Sequence, residues 1–240
     1  MINLKQIVFI VWLCFCCLEG IAQNRLTKMK VMHYQHQEDK SIRFGFCLGL
    51  NAMNFAITHS YENYKIDSLL ASLTNLSPGF QIQVVSVARL TDNLELRFLP
   101  GVCFGQRELS FYEGKREQLY IAPQRLESSY IDLPLLLKYK STRINNYRAF
   151  LIGGLNPRFD LAKTYRVDSD IYMDLKTFDL CYELGSGFDF YFPYFKLSVE
   201  LRGSWGMFNV LNRRSTPHSE FQNAIEKLRS STYMISLYIE

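Results

Sequence analysis

Between Phe178 and Trp205 apolar and polar residues alternate with a period of two. Phe178, Leu180, Tyr182, Leu184, Phe188, Phe190 and Phe192 take one register; Asp179, Cys181, Glu183, Gly185, Gly187, Asp189 and Tyr191 take the other. After Pro193-Tyr194 the alternation resumes, with Phe195, Leu197, Val199, Leu201, Gly203 and Trp205 set against Lys196, Ser198, Glu200, Arg202 and Ser204. Successive side chains of a strand point to opposite faces, so this pattern predicts two long antiparallel strands joined by a tight turn. One face is apolar and aromatic. The other holds charges of both signs, glycine and cysteine.

The same pattern recurs along the chain. Ile42–Leu50 places Ile42, Phe44, Phe46, Leu48 and Leu50 opposite Arg43, Gly45, Cys47 and Gly49. Phe80–Leu90 and Leu94–Arg107 follow, separated by the turn residues Thr91-Asp92-Asn93. Pro100 falls on the outward register of the second, where a bulge is expected to spare the ladder. Ser129–Lys140 puts Ile131, Leu133, Leu135, Leu137 and Tyr139 outward and Asp132, Lys138 and Lys140 inward. Tyr147–Asp160 is the least regular, with Phe150 and Ile152 on the nominal inner face. A last strand runs from Tyr233 through Ile235, Leu237 and Ile239 to Glu240. Between these lie a charged stretch at Glu113–Gln118 and a loop at Leu161–Leu175. The spacing of Ile66, Leu69, Leu70 and Leu73 fits a short amphipathic helix, and Glu220–Leu228 fits a second.

Such strands suit either of two solvents. A soluble sandwich or a lipocalin-like barrel would bury the apolar face; a membrane barrel would turn it to lipid. Soluble strands average five or six residues, whereas a tilted spanning strand needs roughly 9–11. The length of these strands, and the glycines on the charged face, favour lipid. The connections alternate long and short, as in an up-and-down barrel with an even number of strands. The expectation is an all-β fold: an eight-stranded antiparallel transmembrane barrel of the outer-membrane type, with a polar, plugged lumen and long extracellular loops. Arg43, Arg89, Glu95, Arg97, Asp132, Lys138, Arg148, Asp179, Glu183, Asp189, Lys196, Glu200 and Arg202 are expected to share that lumen as an ion-pair network, because a ring of eight strands is only wide enough for side chains.

Composition fits this picture. Aromatic residues make up 15% of the 240 residues, enough for two interfacial girdles. A mean hydropathy near zero (−0.07) argues against helical spans, though not against a barrel whose lumen offsets its outer face. The formal charge of +4 is mild, and no basic run is interleaved with aromatics as a nucleic-acid groove requires.

The N-terminus has the pattern of a targeting segment: Lys5, the apolar run Ile7–Leu18, then Gly20-Ile21-Ala22 with cleavage expected before Gln23. The expected organisation is a signal peptide at 1–22, a flexible periplasmic lead at 23–41, and the barrel at 42–240. Both termini are then periplasmic. Cys47, Cys103 and Cys181 remain after cleavage, all on the lumen face, and read as small buried fillers.

Candidate chemistry is thin. His33 and His36 lie in the polar lead with only Glu38 and Asp39 nearby, too little for a metal site. His218 sits beside Ser215 and Ser219 in a connection, and His59-Ser60 is the one pair placed where a strand leaves the membrane. None has the base and orienting acid of a hydrolase, so no catalytic, cofactor-binding or metal-binding residue is assigned and no enzyme activity is expected. The expected partners are outer-membrane lipid and other envelope or secretion proteins, with no nucleic acid and no small-molecule substrate.

Several stretches resemble the PorT family of outer-membrane barrels: Tyr130–Lys140, the Arg143–Arg148 turn (RINNYR), Arg158–Ala162, Ser77–Phe80, Leu96–Arg107 ending in GQR, and Asn209-Val210-Leu211. The resemblance covers nearly all of the chain from Arg43. It implies a Bacteroidetes envelope protein that serves type IX secretion and gliding, acting through scaffolding contacts rather than as the conducting pore. The alternative is a generic small barrel for adhesion or envelope integrity.

Overall fold

The computed structural model describes residues 33, 40–59, 69–73, 77–113, 118–161, 174–212 and 225–240. Every regular element among them is a strand: β1 (Ile42–His59), β2 (Leu69–Leu73), β3 (Ser77–Arg89), β4 (Leu94–Phe98), β5 (Gly101–Glu113), β6 (Gln118–Asp132), β7 (Leu135–Lys140), β8 (Tyr147–Asp160), β9 (Asp174–Leu175), β10 (Phe178–Tyr191), β11 (Lys196–Gly206), β12 (Leu211–Asn212) and β13 (Ile225–Ile239).

All pairings are antiparallel, and they close. Phe44 pairs with Ser86, Ser86 with Phe98, Phe98 with Leu135, and Leu135 with Leu155. Leu155 pairs with Tyr182, Tyr182 with Trp205, Trp205 with Ser231, and Ser231 with Asn54 back on β1. Eight steps complete the ring, with β4–β5 and β6–β7 each counting as one interrupted strand. The path returns ten residues beyond its start, which is the shear of the barrel. A stagger of ten over eight strands, at ordinary strand spacing and rise, requires a strand tilt of about 40°.

The outer face is the apolar one. Ile42, Phe44, Phe46, Leu48 and Leu50 are 61%, 69%, 48%, 50% and 68% exposed, while Arg43 and Cys47 between them, and Asn51 next in line, are buried. An apolar outer surface on every strand of the ring, with charge sealed inside, inverts the arrangement of a soluble barrel. Aromatic side chains mark both ends of the band. Phe80–Phe104, Phe159–Phe178 and Tyr182–Trp205 pair at one end, with ring centroids 5.0, 5.3 and 5.4 Å apart. Phe192–Phe195 stack at 4.8 Å at the other, beside Tyr147. By the stagger the two rows lie about 25 Å apart along the axis, the height of a lipid-facing barrel band.

Short turns at Leu90–Asn93, Ser141–Asn146 and Phe192–Phe195 share the second rim. The other strand ends lie at the opposite rim, and here the structure corrects several expectations. Leu69–Leu73 is a strand paired with β5, not part of a helix; Ile66 lies outside the described residues. Ile225–Leu228 belongs to β13, so the helix expected at Glu220–Leu228 is absent there, and residues 220–224 lie outside the described residues. In the charged stretch Glu113–Gln118, Glu113 pairs with Gln118 and residues 114–117 lie outside the described residues; β5 and β6 extend as a hairpin beyond the ring, with β2 as its third strand. Residues 162–173 of the expected 161–175 loop lie outside the described residues; Asp174–Leu175 pairs with β12.

Pro100 needs no bulge. Pairing on either side of Leu99-Pro100, and of Leu133-Pro134 next to it, keeps one register. The carbonyls of Pro100, Pro134 and Pro157 accept hydrogen bonds from the amides of Val84, Leu99 and Leu133 at 2.9, 3.0 and 3.1 Å. Each proline gives up only the bond that its missing N–H would have made.

Candidate functional surfaces: a sealed lumen and two rims

Closing eight strands points one residue in two at the axis, so polar side chains on that register must satisfy one another. Many of them pair in stacked layers. Nearest the short turns, Glu95 and Glu240 act as hubs. Glu95 takes Arg43 and, at 2.6 Å, Lys140. Glu240 takes Lys196 at 2.6 Å, Arg97 at 3.0 Å and Arg43 at 3.6 Å, tying β13 to β11, β4 and β1. Lys138 reaches both oxygens of Asp189 at 2.6 Å, and the Ser198 hydroxyl donates to the same carboxylate.

The middle layer centres on Glu200, which accepts from the Tyr238 hydroxyl at 2.7 Å and lies 3.5 Å from both Arg97 and Arg202. Arg202 pairs with Glu183 at 3.0 Å, and Glu183 accepts from the Asn156 amide at 2.7 Å. Beyond it Arg158 grips Asp132 through two nitrogens, at 2.9 and 3.3 Å, and donates to Thr232 at 3.1 Å. Arg107 lies farthest toward the long connections, its guanidinium 4.3 Å from the Phe55 ring and 5.0 Å from that of Tyr130.

Most of the expected lumen residues meet as the alternation implies. Arg89 pairs instead with the exposed Asp92 at the rim, where β3 ends. Arg148 is half-buried, 5.9 Å from the Tyr191 ring at the same rim. The interior is also less uniformly ionic than the alternation suggests. Cys47, Val85, Val87, Leu99, Leu136, Phe150, Ile152 and Tyr238 form an apolar seam beside the charges. Phe150 is accommodated because Gly187 faces it; a Cβ there would lie 2.6 Å from the ring. Cys47, Cys103 and Cys181 are buried and unbridged, as small fillers.

At the short-turn rim the turn Ser141–Asn146 has a defined shape. Asn145 takes φ of 53°, the left-handed conformation that asparagine tolerates. Arg143 donates to the Asn145 carbonyl at 2.8 Å and to Asn146 Oδ1 at 2.9 Å, and lies 3.8 Å from the Tyr191 ring. His33 docks on this turn: its amide donates to Asn146 Oδ1 at 3.1 Å, and its carbonyl accepts from Arg143 at 2.6 Å. Nothing in the local pattern marks this contact, which joins residues 110 or more positions apart. Of the histidines singled out above, His36 and His218 lie outside the described residues. His59 ends β1, paired in backbone with Ile225, and its neighbour Ser60 is not described.

Charge inside, an apolar band between two aromatic rows, and a closed ring of tilted strands are the physical requirements of a membrane barrel. A family model, that of the outer membrane protein beta-barrel domain, matches residues 22–212. The chain belongs to that family. The match ends before β13, the strand that closes this outer-membrane barrel between β11 and β1.

Solved structures of similar fold include Neisserial surface protein A (12% identity, 83% of this chain and 99% of that one, TM-score 0.44). OprG of Pseudomonas aeruginosa (13%, 82% and 92%, 0.42) and AlkL, determined in DMPC bilayers (13%, 91% and 96%, 0.41), are also similar. No curated protein matches the chain.

Proposed function

We propose that this barrel is a membrane-anchored platform for adhesion or envelope integrity, working through contacts at its rims rather than by conduction. The lumen carries that reading: among the described residues, buried ion pairs and an apolar seam fill it at successive levels. The hairpin formed by β5 and β6, extended by β2 beyond the ring, is the natural contact element. With the short turns in the periplasm, it stands outside the cell.

A second reading has its own support. The RINNYR turn, one of the segments that resemble the PorT family, is the turn that holds His33. On that reading the barrel is a scaffold of type IX secretion, and its working face is the short-turn rim. One set of strains separates the two. A deletion strain is complemented with the wild-type gene, with a variant whose hairpin is cut back between Glu108 and Arg125, or with Arg143→Ala/Asn146→Ala. Loss of surface attachment or detergent resistance with the shortened hairpin alone is expected from the platform reading. Loss of cargo export with the turn variant alone would replace it with the secretion scaffold.

A further inference from the structure

The membrane-facing side of β11, β13 and β1 is not smooth. A groove of about 500 Å³ runs between Leu50, Ala52, Leu201, Trp205, Tyr233 and Ile235. Gly203 lies beneath the Trp205 ring, where a Cβ would be 2.4 Å from it, so the indole lies flat against the sheet and forms part of the groove floor. Tyr182 stacks on that indole at 5.4 Å, and Tyr233 meets it edge-on at 6.2 Å. The cleft is therefore held open by packed rings. Its depth spans the apolar band from about mid-height to the aromatic row on the long-connection side. On the same outward register of β13, Arg229 and Lys227 follow above Tyr233, both exposed and paired across to Ala56 and Thr58 of β1. Arg229 lies four residues from Tyr233, about 13 Å along the strand, within side-chain reach of the headgroup region.

A groove with apolar walls, an aromatic collar and two cations above it has the layout of one amphiphile. We propose that β11, β13 and β1 hold a phosphate-bearing acyl lipid of the leaflet on the long-connection side, one acyl chain lying between Leu50, Leu201 and Ile235 against the Trp205 ring and the phosphate meeting Arg229 and Lys227. Uncharged walls alone would take any lipid tail; the basic pair makes the site selective for an anionic headgroup.

Trp205 is the built-in probe. The chain has two tryptophans, so Trp12→Phe in the full-length protein leaves the groove indole alone. The protein is reconstituted in nanodiscs of unlabelled phosphatidylcholine containing increasing fractions of acyl-brominated phosphatidylglycerol or acyl-brominated phosphatidylcholine. Trp205 fluorescence should reach half-quenching at a ~30-fold lower fraction of the anionic lipid, the combined preference of two surface cations. Lys227→Gln/Arg229→Gln should abolish that difference and leave quenching by brominated phosphatidylcholine unchanged. Equal quenching by the two lipids in the parent protein, or a preference that survives in the double variant, overturns the site while leaving the barrel in place. Absence of quenching by either lipid overturns the site together with the lipid exposure of this face.

Discussion

Leu201 and Arg202 are neighbours in sequence and lie in different media. Leu201 is 58% exposed on the membrane face near mid-height, and Arg202 is buried against Glu183, Glu200 and Gln83. Leu201→Arg should therefore destabilise the folded barrel by roughly 2–4 kcal/mol, whereas Ile42→Arg, at the short-turn end of the band, should cost about 0–1 kcal/mol. Reversible urea unfolding in lipid vesicles checks both, and equal costs at the two positions would mean that no depth gradient crosses this face. Which face a residue takes was legible from the alternation alone, since a period of two leaves two choices per strand. Which partner it finds inside was not. Glu240 meets Arg97 from 143 positions away and Arg158 meets Thr232 from 74, and such distances leave no trace in local pattern. Phe150 was legible as an inward residue but not as part of a seam, because Val85, Leu99 and Leu136 come to it from three other strands.

Among elements, length and turn chemistry carried the reading through the ring and failed outside it. Strands that cross the band must alternate, because one face meets apolar surroundings and the other meets charge. Beyond the ring that demand lapses, and β2 shows the result. Leu69, Leu70 and Leu73 fit one helical face, yet the segment pairs with Leu109–Glu113, where the open edge of β5 offers hydrogen bonds that a five-residue helix would have to make alone. Pro100 differs in another way: its place on the outward register predicts a bulge, but antiparallel pairing needs the carbonyl as well as the amide, and the carbonyl is retained. Pro100→Ala should then regain one bond to the Val84 carbonyl and lose a comparable unfolded-state restriction. The net change should stay within about 1 kcal/mol, with amide chemical shifts of β3 showing unchanged register. A register slip in those spectra would show that the proline sets the pairing.

At the scale of the whole molecule, the ring and its contents impose opposite demands. Eight strands with a stagger of ten enclose an interior that side chains can fill, and alternation supplies charged ones to fill it. Burying ions is costly unless each is paired, so the layers contribute uniqueness of packing more than net stability. They also act in series. Arg97 spans Glu240 and Glu200 and lies 5.6 and 5.2 Å from the rings of Phe150 and Tyr238, which makes it the natural place to open a hole. Removing it should not open the barrel, because Arg202–Glu183 and Arg158–Asp132 close the path at other levels. Arg97→Ala is accordingly expected to lose about 3–5 kcal/mol of stability, the usual cost of leaving buried carboxylates without their cation. In planar bilayers it should remain as non-conducting as the wild-type protein. Steady unitary currents from the wild type would refute the sealed lumen and with it the platform reading. Currents confined to the Arg97→Ala variant would instead mean that a single layer carries the seal, and that the outer levels pack too loosely to hold back ions once the guanidinium is gone.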